Sequence, residues 1–454
     1  MLLMRHWGYS QQWLPVGPGI GCGSDYVWDI NLNADSTELL VAGAIWTNGN
    51  CDSARAVLTW DGQYFTAPGG YTPGVQGLLA FEYHSILFSS GPMVSQFSGF
   101  NKIEEGQWQT VPGGFSGSAN DILIRDSLVY LAGAFSGTVN GLVCTFDGEV
   151  LQDYYTGPPC NDITMSLAFY QDTLFIAGGF TSEVSAEAQS GYNKCCKIVN
   201  GQLEKVSQGF LTSGFSWSVK EFQDKLYIGG YLRTVNGDAH HTLYYYENGQ
   251  LHTLADEPDD LVTGMVVHGD GLYVCGDFHS IGDMPCEHVA RWDGETWTCL
   301  CNDEFTYSQG ACDAQCIKDI EVWKDTLYIG GYFTHIGDTE AKRIAKLDMN
   351  LSEAFPVHLT ENKSWWPELF IQPNPARNRT TIRFSLPPDF SIPDHSQWVM
   401  IDLQGREIMR QDLSRSAIQS GDIPLDLSSI APGIYQIHWI MDSVWLDSVK
   451  VVVE

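Results

Sequence analysis

The chain has 454 residues, of which 17% are charged and 12% are aromatic. Together with its 46 glycines, this composition is typical of a packed β-rich protein with many tight turns and argues against a disordered chain. The net charge of −31 argues against nucleic acid as a partner, because carboxylates repel phosphate backbones.

The beginning of the chain carries no visible export signal. Met1–Trp7 lacks the apolar segment of a signal peptide, and His6-Trp7-Gly8 echoes the internal stretch Arg291–Gly294. We therefore expect that the reading frame begins upstream of Met1, with a signal peptide there. No run of about 18 apolar residues occurs, so we expect no transmembrane segment.

A short apolar block that ends in glycine recurs along residues 1–355. Leu327-Tyr-Ile-Gly-Gly331 returns as Leu226-Tyr-Ile-Gly-Gly230 and as Leu174-Phe-Ile-Ala-Gly178. The copy that ends at Gly91 is degenerate. The seven equivalent glycines, which we call the anchor glycines, are Gly43, Gly91, Gly133, Gly178, Gly230, Gly276 and Gly331.

Each repeat predicts four short strands. The first alternates in polarity, as in Met165, Leu167 and Phe169, and the block itself is the second strand. Its glycines permit a neighbouring backbone to approach closely. We expect the third and fourth strands to meet at two-residue turns with positive φ. These turns are Asp61-Gly62, Asp147-Gly148, Asn200-Gly201, Asn248-Gly249 and Asp293-Gly294.

Radial repetition of four-stranded units predicts an all-β fold of the β-propeller type. Seven anchors favour seven blades, although six or eight would also fit because the second repeat is weak. The last repeat lacks its fourth strand, and the segment around Trp13 matches one, so we expect it to close the ring. The blocks resemble the repeats of kelch-like and galactose-oxidase-like propellers, which implies the fold and leaves the function open.

The pattern changes after Phe355. Residues 356–370 read as a linker, and residues 371–454 contain short strands that predict a small immunoglobulin-like β-sandwich. Its recurrent turn motifs are Pro373-Asn374-Pro375, the turn at Gly405, Pro432-Gly433-Ile434-Tyr435, and Lys450 in the last strand.

These motifs resemble the type A C-terminal sorting domain of the type IX secretion system of Bacteroidetes. The resemblance implies export by that machinery, removal of the domain by its sortase, and linkage of the mature protein to surface lipopolysaccharide. It places the protein outside the cell or on the outer-membrane surface. Glu454 departs from the family, which often ends in Lys or Arg.

No motif predicts a catalytic, cofactor-binding or metal site. The glycine pairs lie inside strands, and neither a Gly-x-Ser-x-Gly elbow nor a His-Glu-x-x-His pair occurs. Asp277 is unusual because it follows an anchor glycine, and we expect it to be a polar residue lining the channel. We interpret His240, His241 and His288 as exposed loop residues, with metal binding as the alternative.

The 12 cysteines indicate an oxidising compartment and some disulfides. The alternative, a zinc site formed by the four cysteines between 299 and 316, has an unfamiliar spacing. Loop aromatics could stack on sugars, but we interpret them as packing between blades. They are Tyr154, Tyr155, Trp217 and Tyr307.

The sequence thus predicts a secreted or cell-surface binding or adhesion protein without enzymatic activity. Its propeller would hold an unidentified glycan or protein. The alternative is a carbohydrate-active hydrolase or lyase with its site at the mouth of the channel. Carboxylates and basic groups that converge from several blades on one pocket would favour the enzyme.

Overall fold

The computed structural model describes most of the chain and falls into two compact units, one containing the strands up to Asp348 and one containing the strands from Glu368. Among the residues it describes, no helix has the length and apolarity needed to span a bilayer. The described ranges are 13–17, 19–20, 26–46, 54–69, 77–91, 99–139, 141–154, 163–181, 193–234, 239–307, 310–311, 316–349, 368–372, 375–385, 396–402, 407–420, 422–441 and 444–453.

Seven antiparallel sheets of four strands make up most of the first unit, counted over its described residues. After a first short strand, β1 (Leu14–Pro15), the sheets of blades 1 to 4 follow in chain order. Their strands are β2–β5 (Tyr26–Leu32, Leu39–Trp46, Ala54–Trp60, Phe65–Thr66), β6–β9 (Leu79–Tyr83, Ile86–Gly91, Gly99–Glu104, Gln107–Thr110), β10–β13 (Phe115–Arg125, Leu128–Gly137, Val143–Phe146, Leu151–Asp153) and β14–β17 (Thr164–Tyr170, Thr173–Gly178, Cys195–Val199, Gln202–Lys205).

Blades 5 to 7 follow the same plan, with short accessory strands inserted. Blade 5 contains β18–β21 (Phe210–Phe222, Lys225–Thr234, His241–Glu247, Gln250–Thr253). Blade 6 contains β22, β23, β26 and β27 (Val262–His268, Gly271–Gly276, Val289–Trp292, Trp297–Cys299), with the hairpin β24–β25 (Ser280–Ile281, Met284–Pro285) between them. Blade 7 contains β30, β31 and β34 (Ile317–Trp323, Thr326–Gly331, Ile344–Asp348). The accessory strands β28, β29, β32 and β33 (Phe305–Tyr307, Gly310–Ala311, His335–Ile336, Thr339–Glu340) pair with one another.

The ring closes through the N-terminal strand. In β1, Leu14 pairs with Lys346 and Pro15 pairs with Ala345, so β1 is the fourth strand of blade 7. The buried Trp13 donates its indole N–H to the carbonyl of Leu300 at 3.1 Å. The first strand of each blade contacts the first strands of the blades before and after it, and blade 7 contacts blade 1. The structure confirms the all-β propeller and the closing strand around Trp13.

The hydrophobic core lies between blades rather than in one central mass. One cluster joins blades 2 and 3 through stacked rings such as Phe88, Phe100 and Phe115, which lie 5.3 to 5.4 Å apart. Another joins blade 7 to blade 1 and includes Trp60 and Trp323. Because each blade covers its neighbour's apolar face, the ring must be complete for every face to be covered.

The hairpin turns correct one expectation. Asn200-Gly201 and Asn248-Gly249 form two-residue turns with both φ values positive, as predicted. The Asp-Gly pairs instead begin four-residue loops. In the loop at Asp147, one carboxylate oxygen accepts the N–H groups of Glu149 and Val150 at 2.9 and 2.7 Å. These hydrogen bonds lower the pKa of Asp147, because they favour the charged carboxylate.

Asp61 and Asp293 repeat the arrangement seen at Asp147. Each accepts two backbone N–H groups, those of the residues two and three positions after it. Sequence reasoning missed this difference because it treated Asp and Asn alike as residues that tolerate positive φ. An Asp side chain can also accept hydrogen bonds from its own loop.

The second unit is a small β-sandwich. Its strands are β35 to β41 (Glu368–Gln372, Arg379–Ser385, Ser396–Asp402, Glu407–Leu413, Asp422–Asp426, Gly433–Met441, Val444–Val453), with a short helix at Arg415–Ser420. Sheets β35-β36-β39 and β38-β37-β40-β41 share a core that contains Trp398 and Trp439. The first strand begins at Glu368, inside the segment predicted to be a linker.

Part of the expected sorting motif can be located in this sandwich. Pro432 precedes β40, which begins at Gly433, and the Tyr435 hydroxyl donates to the carbonyl of Ala431 at 2.8 Å. Lys450 lies on β41 opposite Gln436, and Pro375 is exposed just before β36. Pro373, Asn374 and Gly405 lie outside the described residues.

Candidate functional site

The first strand of six blades contains a β-bulge at which a single residue has no partner in the ladder, and that of blade 5 has a second irregularity between Phe210 and Gly214. A bulge adds one residue to a strand and redirects its side chain. All six bulge residues line one cavity in the middle of the ring, which is open to solvent. The bulge residues are Trp28, Asn120, Met165, Trp217, Thr263 and Lys318.

The anchor glycines explain where the bulges form. A Cβ atom on Gly178 would lie 2.2 Å from the carbonyl oxygen of Ile163, two residues before the bulge at Met165. The same collision recurs at five other anchor glycines, so only glycine lets the bulged strand lie against the second strand there. The pair β6–β7, which contains Gly91, has no bulge, and none of the described residues of blade 2 lines the cavity.

Four residues that directly follow a bulge connect neighbouring blades. Asp319 accepts the N–H of Ile30 at 2.7 Å, and Asp29 accepts that of Ala80 at 3.2 Å. Further around the ring, Asp121 accepts the N–H of Leu167 at 2.9 Å. Ser166 bonds Asp121 at 2.8 Å and accepts the N–H of Val219 at 3.2 Å. These channel carboxylates therefore hold blades together, since their oxygens satisfy backbone donors.

Two bulge residues also join neighbouring blades, but as hydrogen-bond donors to backbone carbonyls. The Asn120 amide donates to the carbonyl of Thr164 at 2.9 Å, and the Thr263 hydroxyl donates to the carbonyl of Ile317 at 2.8 Å. These two polar bulge residues thus stabilise the contact between neighbouring blades. The large bulge residues Trp28, Trp217 and Lys318 are the ones that give the cavity its chemical character.

Three acidic groups of the channel, Asp29, Asp319 and Glu321, have raised pKa values. Burial raises the pKa of Asp319 to about 6 and that of Glu321 to about 7, and the neighbouring Asp319 carboxylate adds to the effect on Glu321. Burial and the charge of Asp319 raise the pKa of Asp29 well above its usual range. The opposite charge of Lys220 acts against these shifts at Asp319 and Glu321. Each carboxyl group is costly to ionise in the folded protein.

The variant Glu321→Gln should stabilise the propeller more at pH 8 than at pH 5. A raised folded-state pKa means that stability is present below the unfolded value near 4.5 and is lost as the pH rises through 7. Gln cannot ionise, and its oxygen can still accept the N–H of Val322. We expect a gain on the order of 2 kcal/mol at pH 8 and little at pH 5, measured by denaturant unfolding. An equal effect at both values would contradict this account.

An aromatic cluster surrounds the ammonium group of Lys318. The Nζ atom lies 4.5 Å from the ring centre of Trp28, 4.9 Å from that of Trp217 and 5.9 Å from that of Tyr332. Tyr332 stacks on Tyr26 at 4.8 Å. Cations are attracted to the faces of aromatic rings, which helps to hold this ammonium group away from water.

The Lys318 side chain is buried, whereas the aromatic rings around it are partly exposed. Burial lowers the pKa of Lys318 to about 8, and the nearby Asp277 carboxylate acts against that shift. We call Tyr26, Trp28, Trp217, Lys318 and Tyr332 the channel cluster. It combines partly exposed aromatic surface with one poorly solvated positive charge, a combination suited to holding an uncharged or acidic polar ligand.

Of the residues singled out from the sequence, some line the channel and others pack between blades. Trp217 lines the channel, as sugar stacking would require, whereas Tyr154 packs against Tyr130 in the core between blades 3 and 4. Tyr307 lies under the Arg343 guanidinium at 4.9 Å. Asp277 is buried and accepts the N–H of Cys316 at 3.0 Å, so it joins blades 6 and 7 and does not line the cavity. Tyr155 lies outside the described residues.

The cysteines exclude the zinc alternative. Cys299 forms a disulfide with Cys286, and Cys316 is also disulfide-bonded, so two of the four proposed ligands are not thiolates. Cys301 is buried, which raises the pKa of its thiol. The disulfide agrees with an oxidising compartment.

The C-terminal residues match a known family. Residues 371–454 match the family model described as a secretion system C-terminal sorting domain. This match confirms the sorting-domain interpretation and indicates a secreted or cell-surface protein. The bacterial group and the kelch-like nature of the repeats stay predictions. No curated protein matches the chain.

Solved structures similar to the chain are distant. The β-propeller domain of the Trilobed protease from Pyrococcus furiosus is 10% identical, with 75% of this chain and 99% of that chain covered and a TM-score of 0.43. An exo-β-1,3-galactanase from Phanerochaete chrysosporium is 9% identical over 98% and 99% of the two chains, with a TM-score of 0.28. The Bacteroides ovatus xyloglucan PUL protein GH43B is 10% identical over 74% and 90%, with a TM-score of 0.25. With TM-scores this low, none of them bears on what this protein binds.

Proposed function

We propose that this protein, whose C-terminal sorting domain marks it for secretion, is a non-enzymatic binding protein that holds a glycan at the channel cluster. The observation that carries the proposal is the placement of two partly exposed tryptophans, Trp28 and Trp217, at bulges facing one cavity. Aromatic rings present large, rigid surfaces that are partly apolar, which suits the C–H faces of sugar rings. Polar groups nearby supply orientation.

The polar groups of the cavity suit a ligand rich in hydroxyl groups. Asn31 and Lys220 line the same space. The Asn31 amide N–H groups already bond Asp29 and Ala80, so Asn31 offers its side-chain oxygen as an acceptor, whereas Lys220 can donate. Lys318 adds a positive charge behind the tryptophans. We therefore favour a glycan that carries a carboxylate, because its charge would pair with a poorly solvated ammonium group.

The arrangement of the carboxylates supports binding over catalysis. Carboxylates and basic groups do converge from several blades, which is the sign expected of an enzyme. Three of these carboxylates, on Asp29, Asp121 and Asp319, accept backbone N–H groups of neighbouring blades. Groups committed to holding the ring together are poorly placed to exchange protons with a substrate.

Binding to a glycan array tests the proposal, with purified protein that contains both units. We expect Trp217→Ala to lower the affinity for the bound glycan about fivefold to thirtyfold, since a stacked aromatic contributes on the order of 1–2 kcal/mol. Tyr231→Ala is the matched control, because Tyr231 is 45% exposed and does not line the cavity. Equal binding by both variants, or no glycan bound by the wild type, would overturn the proposal.

A hydrolase acting at the same cavity is the second candidate. It is favoured by Glu321, whose pKa of about 7 would keep a carboxylic acid protonated near neutral pH, beside the acidic Asp319. Glycoside hydrolases use such a pair of carboxyl groups. Analysis of the incubated glycans for cleavage products separates the two functions, because products that disappear in Glu321→Gln would establish the enzyme.

The remaining proposed partners of the protein are those of its export. The sorting domain implies recognition by the type IX secretion machinery. We propose that its sortase removes residues 371–454 and that the mature propeller is then attached to surface lipopolysaccharide. In this arrangement the propeller would display its binding site outside the cell.

A further inference from the structure

Three potential metal ligands converge in blade 6, away from the residues that line the channel. The Nδ1 atom of His279 lies 2.6 Å from Oε2 of Glu287, and the Nε2 atom of His288 lies 3.8 Å from the same oxygen. One ligand atom from each of the three residues lies within 4.8 Å of the others. Two imidazoles and one carboxylate form a donor set that suits zinc and other divalent transition metals.

His288 is held in the tautomer that a metal requires. Its Nδ1 atom lies 2.8 Å from the carbonyl oxygen of Gly276 and can only donate to it, so Nε2 carries the lone pair. The His288 side chain is buried, so the surrounding residues fix the orientation of its ring. Metal-bound histidines commonly donate their second N–H to a backbone carbonyl in this way.

The backbone around the three residues is fixed in place. Cys286, next to Glu287, forms the disulfide with Cys299, and the Glu287 N–H donates to the carbonyl of Cys301 at 2.8 Å. On the other side, Asp259 accepts the N–H of His279 at 2.8 Å and that of Ser280 at 3.0 Å. The ligands thus project from a rigid hairpin, as a preorganised site needs.

The corresponding hairpin of blade 7 shows that the fold does not require these three residues. Fifty-five residues further along the chain, the equivalent positions carry Thr334, Lys342 and Arg343. The hydrogen bond from the His288 N–H to Phe278 recurs between Arg343 and Phe333, at 2.8 and 2.9 Å.

The side chain at the His288 position has a structural task that other residues also perform. Arg343 has a φ of 68° against 62° for His288, and its guanidinium donates to the carbonyls of Tyr332 and Phe333. Lys194 in blade 4, with a φ of 64°, donates to the carbonyl of Gly179. Arginine and lysine have only donors, whereas an imidazole bonds the carbonyl and keeps one lone pair. The hydrogen bond to the carbonyl therefore does not explain why this position carries a histidine, whose second nitrogen keeps a lone pair.

We propose that His279, Glu287 and His288 bind one zinc ion. The ion would take Nδ1 of His279, Oε2 of Glu287 and Nε2 of His288, and His279 would carry its proton on Nε2. Three protein ligands leave one position of a tetrahedral ion open. Because His279 is exposed, that position can take water or an acidic group of a partner. The sequence favours exposed loop histidines here, with metal binding as the alternative, whereas His288 is buried in the structure.

Calorimetric titration of the chelator-stripped full chain with zinc chloride tests the site. We expect one saturable zinc per chain, and an affinity at least about tenfold lower in His279→Thr and in His288→Arg, which introduce the blade 7 residues. His335→Asn in the blade 7 hairpin is the matched control and should bind zinc as the wild type does. Zinc should also raise the melting temperature of the wild type and of the control, but not of the two variants.

Two results would overturn the proposal. One is the absence of saturable zinc binding by the wild type, and the other is unchanged affinity in His279→Thr, whose exposed side chain can be removed without disturbing the core. The site is independent of the proposed glycan site, so Trp217→Ala should bind zinc normally. Loss of glycan binding and loss of zinc binding are therefore separate outcomes.

Discussion

Replacing Gly178 with alanine should destabilise the propeller by about 3 kcal/mol or more, which is a large share of the stability of an ordinary domain. The new methyl group would lie 2.2 Å from the carbonyl oxygen of Ile163 and 2.8 Å from the Cα atom of Thr164. Both obstacles are backbone atoms of the bulged strand and cannot rotate away. Relief requires the bulge at Met165 to flatten, and calorimetry would record the lower melting temperature of the propeller.

Gly201→Ala is the control for this experiment. Gly201 has a φ of 74°, and no atom lies within 4 Å of the place that a methyl group would take, so alanine there meets backbone strain without a collision. We expect a loss of about 1 kcal/mol. If both variants lost the same stability, conformational freedom rather than close approach would explain the anchor glycines.

Replacing Trp13 with alanine should cost about 3–5 kcal/mol, the usual range for a fully buried tryptophan. Trp13 is 2% exposed, and its indole bonds the carbonyl of Leu300 in the neighbouring blade. Removing it leaves a cavity beside the strand that closes the ring and an acceptor without its donor. We expect the propeller transition in calorimetry to move to lower temperature while that of the sandwich stays in place.

Leu14→Ala is the matched control for Trp13, because Leu14 is the next residue and its side chain is 37% exposed. It should change stability by less than about 0.5 kcal/mol. A small effect of both substitutions would mean that β1 contributes little to holding the ring closed.

The sequence predicted the architecture because it is repeated. Each anchor glycine lies in the second strand of a blade. The spacing of the sequence blocks therefore equals the spacing of the sheets along the chain. The closing strand was also predictable, since Trp13 matched a fourth strand that the last repeat lacked. The predicted length of the turns at Asp61, Asp147 and Asp293 was wrong, because each Asp carboxylate accepts N–H groups from its own loop and stabilises four residues instead of two.

The candidate site was much less predictable. The channel cluster comes from blades 1, 5 and 7, and nothing in the local sequence shows that Trp28, Trp217 and Lys318 meet. A signal did exist, because Trp217 and Lys318 each stand 13 residues before an anchor glycine, as 230 − 217 and 331 − 318 show. Recognising it requires knowing that the glycine accommodates a bulge. The tautomer of His288 could be inferred only from the position of Gly276.

The strand that closes the ring also constrains how the protein folds. Leu14 pairs with Lys346, so the two partners are separated by 332 residues, as 346 − 14 shows. Contacts of such long range form late and slow the folding of β proteins. The first strand must therefore wait unpaired until blade 7 has been synthesised, and until then the ring keeps exposed strand edges that invite aggregation. Completion of the propeller therefore waits for the synthesis of residues 344–348, which form the strand that pairs with β1.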